Sequence, residues 1–212
     1  MWQRESSISN ITLGRSMGFV LSLLVLAWFS VGCQSTYEFK GTLLDPPKPL
    51  ADFELQTAEG KSFHFSDTAG DFSIIYFGYT FCPDVCPLTL ADIGKALAKL
   101  DETDRERVRV IFISVDPERD TPEALARYLS AFDPTFIGLT DDYAKIEAVM
   151  ADFGAFAQKD DTTESAAGYL VGHTSNIFVI NPNNELLLLH SYGFAPEDLQ
   201  SDLEHLLAQE ES

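Results

Sequence analysis

The chain has 212 residues, enough for one domain that buries its own core and carries a short appendage. Hydrophobic residues make up 45% of it, and 33 Asp and Glu against 14 Lys and Arg give a formal net charge of −19. A surface this negative repels phosphate backbones, so the composition describes a folded acidic protein and argues against nucleic acid as a partner.

The N-terminal segment resembles an export signal. Arg4 and Arg15 precede an apolar run over residues 17–32 that ends at Cys33. The run is shorter than the roughly 20 residues that span a bilayer, which favours a cleaved signal over a permanent helix. The small residues before Cys33 resemble a bacterial lipoprotein signal, but Ser30 stands where leucine is usual, so lipidation of Cys33 and an uncleaved anchor both stay open. Either outcome places the rest of the chain outside the cytoplasm, because the positive charges stay inside.

The first predicted segments lead into a central strand. Residues 1–33 are assigned to the export signal or membrane anchor, and the polar, proline-rich residues 34–50 to a tether. The domain is predicted to span residues 51–210. It opens with a hairpin around the turn at 58–61. The continuous apolar and aromatic run at 72–79 then predicts a central strand that is buried on both faces.

Helical and strand patterns follow one another after this strand. A helix is predicted to begin at Pro87, because proline suits the first helical position. The later predicted elements are a strand at 108–115, a helix that Thr121 caps and that ends near Phe132, a strand at 136–139, a helix over 141–153 ended by Gly154, an exposed loop at 159–168, a hairpin of 176–180 with 185–190, and a helix from Pro196 to about residue 209. This order predicts the α/β class, with a central mixed sheet flanked by helices and an N-terminal hairpin.

Cys82 and Cys86 lie where the central strand gives way to its helix. This is the arrangement of thioredoxin-like proteins, and open α/β sheets bind ligands at this end of their strands. The positive end of the helix dipole favours thiolate, the form that attacks disulfides and binds soft metals. Outside the cytoplasm two such thiols oxidise to each other unless a metal or a reductase prevents it. A disulfide, a metal site, or both are therefore open at this point.

His173 is a candidate third ligand beside the cysteines. Redox enzymes of the thioredoxin group usually carry two residues between their cysteines and a proline just before a later strand. This chain has three residues between its cysteines, and His173 stands where that proline is expected. In the thioredoxin topology that position lies across from the cysteines, so imidazole would come within reach of both sulfurs. Two thiolates with one imidazole favour copper, and zinc, which usually takes a fourth ligand, is the alternative.

Three segments of the chain resemble the signatures of the Sco/SenC copper proteins, in the same order. They are GYTFCPDVCPLTL at 78–90, SVDPERDTP at 114–122 and YLVGHTSNIFVINP at 169–182. The resemblance covers residues 41–208. It implies a thioredoxin-like fold, attachment to the outer face of the bacterial inner membrane, and delivery of copper to the dinuclear copper centre of cytochrome c oxidase. The implied partners are the copper-bearing subunit of the oxidase, a copper donor and a thiol reductant.

The resemblance also implies roles for individual residues. Cys82, Cys86 and His173 fall on the copper ligands of the family, and Asp116 falls on the aspartate of its second signature. Asp116 also precedes Pro117 at a strand end, where aspartate commonly forms a turn. The leading hypothesis is a membrane-tethered copper metallochaperone. The alternative is a thiol–disulfide oxidoreductase that uses the same two cysteines to reduce those of the oxidase copper site, with His173 tuning their acidity.

Overall fold

The computed structural model describes residues 37–165 and 168–210. The predicted export signal over residues 1–33 and the candidate lipidation site Cys33 lie outside the described residues. Within the described ranges, no helix combines the length and the apolar character that crossing a bilayer requires.

The described residues form ten β-strands and five α-helices. The strands are β1 (Thr42–Pro49), β2 (Glu54–Thr57), β3 (Ser62–His64), β4 (Phe72–Gly78), β5 (Val108–Ser114), β6 (Ile137–Thr140), β7 (Ala157–Ser165), β8 (Gly168–His173), β9 (Ile177–Ile180) and β10 (Glu185–His190). The helices are α1 (Val85–Leu97), α2 (Glu102–Glu106), α3 (Pro122–Leu129), α4 (Tyr143–Phe153) and α5 (Pro196–Glu210).

Eight of these strands form one mixed sheet in the order β1-β10-β9-β4-β5-β6-β2-β3, which confirms the predicted fold class. β4 runs parallel to β5, with Gly78 opposite Ser114. β9 runs antiparallel to β4, with Tyr76 opposite Ile177. The carboxyl ends of β4 and β5 and the beginning of β9 therefore lie at the same edge of the sheet. β7 and β8 pair with each other in a separate two-stranded sheet.

β4 is the centre of the core, and all seven of its residues are buried. This confirms the prediction of a strand covered on both faces, since successive side chains of a strand point to opposite faces. Around it, α1 packs against α5, and α3 packs on β6. Burial of each large apolar side chain contributes roughly 1.5–3 kcal/mol, so this aromatic-rich strand stabilises the sheet edge that carries the candidate site.

Several helix boundaries follow the predicted signals. The Thr121 hydroxyl caps α3 by accepting the Ala124 N–H at 3.3 Å. Gly154 ends α4 in the left-handed region, with φ of 66°, a conformation that glycine adopts without a side-chain clash. Pro196 begins α5, also as predicted.

The predicted start of α1 at Pro87 is wrong, because this helix begins at Val85 after Asp84. The first four N–H groups of a helix have no partner inside the helix, so proline is tolerated anywhere in the first turn. The Leu88 N–H is the one that donates back to the Asp84 carbonyl, at 3.3 Å. As a result, Cys86 lies within the first turn of the helix and is buried.

The predicted tether is wrong for residues 42–49, which form β1 at the edge of the main sheet. The prolines in this segment were the signal for a tether, but edge strands and bulges accept proline. The pairing of β1 with β10 shifts register between Leu43 and Lys48, the interval that contains Pro46 and Pro47, while Pro49 pairs with Glu185 at the end of the strand.

The predicted loop at 159–168 is also wrong. Residues 159–165 belong to β7 and Gly168 begins β8, with Lys159 opposite Val171. Strands that are polar on both faces also occur in sheets, and they show no alternation of polar and apolar residues. The composition of β7 therefore resembles that of a loop, although its backbone groups are paired.

Candidate metal centre

The structure brings together the three side chains that the sequence analysis singled out as metal ligands. Cys82 lies in the loop after β4, Cys86 in the first turn of α1, and His173 at the end of β8. Their two sulfurs and one ring nitrogen all lie within 4.8 Å of one another. Both cysteines are free thiols. They converge because β9 is antiparallel to β4, which places the residues just before β9 beside the end of β4.

The ring of His173 is oriented by a backbone contact. Its Nδ1 lies 2.9 Å from the Thr174 carbonyl oxygen, which can only accept a hydrogen bond. Nδ1 therefore carries the proton in the neutral ring, and Nε2 keeps a free lone pair. Nε2 lies 3.4 Å from Cys86 Sγ. The rings of Tyr76 and Tyr79 pack edge-on against the imidazole, with centroids 6.1 and 5.8 Å away.

The two cysteines have opposite acid strengths. A hydrogen bond from the Cys86 side chain is the largest cause that lowers the pKa of Cys82, well below its usual range. The Cys86 backbone N–H, in the first turn of α1, also donates to Cys82 Sγ at 3.4 Å. Burial raises the pKa of Cys86, and its hydrogen bond to Cys82 adds to this shift. At neutral pH the pair therefore consists of a Cys82 thiolate and a Cys86 thiol.

The candidate site opens into a cleft of about 890 Å³. Cys82 and His173 line this cleft, whereas Cys86 is fully buried. Phe156 also lines it and is 64% exposed, which is unusual for a large apolar side chain. An incoming protein group can therefore reach two of the three candidate ligands directly.

Asp116 does not belong to the cluster of three candidate ligands. Its carboxylate is ion-paired with Arg119, and it accepts a hydrogen bond from the Tyr169 hydroxyl at 2.6 Å. Its backbone carbonyl accepts the N–H groups of Arg119 and Asp120, at 3.1 and 3.0 Å. The structure thus places Asp116 in a turn beside the centre.

Two residues near the centre, Arg119 and Asp120, were missed by the sequence analysis. The buried Asp120 carboxylate accepts hydrogen bonds from the hydroxyls of Thr80 and Ser114, both at 2.6 Å, and burial raises its pKa. Asp120 thereby links Thr80, in the loop that carries Cys82, to Ser114 at the end of β5. Both residues lie within the segment SVDPERDTP that carries the resemblance, but adjacent opposite charges just after a buried strand are common on solvated turns and do not indicate these contacts.

A thioredoxin-like domain with two cysteines and one histidine at the carboxyl end of its central strands defines a narrow class of proteins. Residues 43–208 match the SCO1/SenC family over most of the chain. The chain belongs to the SCO1/SenC family.

Similar proteins are found among both sequences and solved structures. The mitochondrial protein SCO1 homolog 2 of Arabidopsis thaliana is 32% identical over 172 residues, which cover 81% of this chain and 60% of that protein. The chain thus spans less than two thirds of the length of this relative. The solution structure of the apo Sco1 protein from Thermus thermophilus is 40% identical, with a TM-score of 0.73, and the match covers 81% of this chain and 99% of that chain. The structure of Bradyrhizobium japonicum ScoI with copper bound is 35% identical, with a TM-score of 0.67, over 74% of this chain and 99% of that chain.

Proposed function

We propose that the protein is a copper metallochaperone that binds one copper ion through Cys82, Cys86 and His173. The observation that carries this proposal is the convergence of two sulfurs and one imidazole nitrogen within 4.8 Å. Thiolates are soft ligands that suit copper, imidazole also binds copper, and cuprous copper accepts a low coordination number. The copper-bound state of the similar protein from Bradyrhizobium japonicum supports the choice of metal.

The access to Cys82 and His173 from the cleft suits a protein that transfers its metal ion to an acceptor. Cys82 is already a thiolate, so it can bind the ion without first losing a proton. Cys86 is a thiol whose proton must leave as the ion enters, so copper binding releases a proton. Since Cys82 and His173 face an open cleft, a ligand of an acceptor protein can replace them one at a time.

The acceptor in this proposal is the copper-bearing subunit of cytochrome c oxidase, at its dinuclear copper centre, as the resemblance to the Sco/SenC copper proteins implies. A copper donor and a thiol reductant are the other partners, because the dithiol must be reduced to bind the ion. The chain would be held outside the cytoplasm, on the outer face of the bacterial inner membrane, by residues 1–33 or by a lipid on Cys33. The charge pattern around residues 17–32 supports this attachment.

A copper titration of the reduced full-length chain in detergent tests the ligand set. Replacing His173→Ala should weaken cuprous copper binding by about tenfold or more, which corresponds to about 1.4 kcal/mol. His64→Ala is the matched control, because His64 is an exposed histidine on β3 outside the centre. An unchanged dissociation constant in the His173 variant would overturn the ligand assignment.

The alternative function, thiol–disulfide exchange, is favoured by the opposite acid strengths of the two cysteines. The half-buried Cys82 thiolate, which lines the cleft, would attack a disulfide of the substrate, form a mixed disulfide and release one substrate thiolate. Cys86 would then pass its proton to that thiolate and attack Cys82, which releases the second substrate sulfur and leaves a Cys82–Cys86 disulfide. An external thiol would reduce this disulfide again. Rapid turnover of a disulfide substrate by the His173→Ala variant, together with an absence of copper binding by the parent chain, would favour this function.

A further inference from the structure

Tyr169 contacts several charged side chains near the centre. It lies on β8, the strand that ends at His173. The guanidinium carbon of Arg119 lies 3.6 Å from the centroid of its ring, and the Lys159 ammonium lies 3.8 Å from the same centroid. Its hydroxyl donates to Asp116 Oδ1 at 2.6 Å, and its carbonyl accepts from Arg119 Nη1 at 2.9 Å.

These contacts matter because β8 is not a strand of the main sheet. It pairs only with β7 among the described residues, in a two-stranded sheet, and such a pair is marginal by itself. The position of β8 relative to β4 therefore depends on side-chain contacts. They include the hydrogen bond from the Val171 N–H to the Tyr79 hydroxyl, at 3.2 Å, the ring contacts of Tyr76 and Tyr79 with His173, and the contacts of Tyr169.

Arg119 connects Tyr169 to the loop that carries the cysteines. Its guanidinium carbon lies 4.9 Å from the centroid of Phe81, the residue before Cys82, and 5.6 Å from that of Tyr79. The Asp116 carboxylate, only 4% exposed, forms an ion pair with the same guanidinium. A single arginine thus contacts both walls of the centre, the one with the cysteines and the one with the histidine.

We infer that Arg119 and Tyr169 are positioning residues for the centre, and that their contact holds β8 so that His173 Nε2 stays within bonding distance of an ion on the two sulfurs. This inference rests on the proposed ligand role of His173. Neither residue touches the ion. Tyr169 acts through the placement of the imidazole, because a shift of β8 moves His173 with it, and Arg119 acts on His173 through its contacts with Tyr169.

A double-mutant cycle on the reduced full-length chain in detergent tests the inference. Cuprous copper affinity is measured by competition with a chromogenic chelator in the parent, Tyr169→Leu, His173→Ala and the double variant. Tyr169→Leu removes the ring from the two cations and should weaken binding by about tenfold when His173 is present. In the His173→Ala background the same change should have almost no effect, because the ligand that it positions is gone.

Further variants separate positioning from a general loss of stability. Tyr169→Phe keeps the ring over the cations and should restore most of the affinity. Arg119→Lys, measured alone and combined with His173→Ala, keeps the charge but loses the planar fork that reaches Asp116 and the Tyr169 carbonyl. It should weaken binding when His173 is present and have little effect when His173 is absent. Tyr192→Leu, at an exposed tyrosine outside the centre, should leave the affinity unchanged. Thermal unfolding of each variant identifies any that do not fold.

Two results would overturn the inference. An equal loss of affinity from Tyr169→Leu and Arg119→Lys in both backgrounds would mean that these residues act on the cysteines or on the fold. An undiminished affinity in both variants would mean that β8 is held without them. If His173→Ala itself had no effect, the ligand assignment of the proposed function would fall, and the inference with it.

Discussion

Gly78 leaves space for Cys86. A Cβ atom on Gly78 would lie 2.9 Å from Cys86 Sγ and 2.8 Å from the ring of Phe112, closer than real Cβ contacts allow. Position 78 at the end of β4 therefore requires glycine because Cys86 and Phe112 leave no room for a side chain.

The change Gly78→Ala should consequently disturb the centre and the core together. We expect a loss of about 1–3 kcal/mol in the free energy of unfolding, because both neighbours are fully buried, and a weaker affinity for copper. Gly94→Ala is the control, since nothing lies within 4 Å of the corresponding Cβ in α1. That change should stabilise the helix by roughly 0.5–1 kcal/mol. Denaturant unfolding with parent-like stability for the Gly78 variant would contradict the argument.

The opposite acid strengths of the cysteines predict a specific pH dependence for alkylation of the reduced, copper-free chain. An ordinary thiol, with a pKa near 8.5, loses about tenfold in rate for each pH unit below that value. Because the pKa of Cys82 is lowered, its thiolate persists, and its rate with iodoacetamide should stay nearly flat from about pH 8 to pH 6. Cys86, whose pKa is raised by burial, should stay unmodified. Peptide mass spectrometry measures both sites, and a steep fall for Cys82 over this interval would refute the assignment.

The segment that leads into β1 is held by a buried carboxylate on α5. Asp202 is fully buried and accepts the backbone N–H groups of Lys40 and Gly41, at 3.0 and 2.9 Å. Asp202→Ala would leave these donors unpaired, so we expect a loss of about 1–3 kcal/mol in stability and faster hydrogen exchange at the start of β1. Glu204→Ala, an exposed site on the same helix, should change stability by less than about 0.5 kcal/mol. Exchange at β1 equal to that of the parent chain would argue against this role of Asp202.

Phe156 offers a test of how an acceptor approaches the cleft. Phe156 is exposed and is not one of the three candidate ligands, so Phe156→Ala should leave copper affinity unchanged. It should slow copper transfer to the copper-bearing domain of the oxidase severalfold, because an exposed aromatic ring at a cleft is a preferred protein contact. Stopped-flow transfer rates provide the measurement, with Leu43→Ala as an exposed apolar control on β1. Equal transfer rates for both variants would exclude Phe156 from the docking surface.

Local sequence patterns predicted the elements that frame the centre. The apolar run of β4, the capping Thr121 and the terminating Gly154 each have a local physical cause, and the structure confirms all three. The convergence of Cys82, Cys86 and His173 followed from the topology expected for a cysteine pair between a strand and a helix.

Other features depend on partners that are distant in the sequence. β1 follows from pairing with β10, which compensates for its prolines. The strand β7 shows no alternation of polar and apolar residues, and it follows from pairing with β8. The contact of Arg119 with Tyr169 joins residues that are fifty positions apart, and a charged residue on a turn gives no local sign of the aromatic ring that it will meet.

The unequal depth of the three candidate ligands imposes an order on any exchange at the centre. Cys82 and His173 face the cleft, while Cys86 lies beneath them. A competing ligand can approach only from the cleft, so the sulfur of Cys86 is the last ligand to be replaced. On the proposed function, the ion therefore leaves by stepwise exchange, in which Cys82 and His173 are replaced before Cys86.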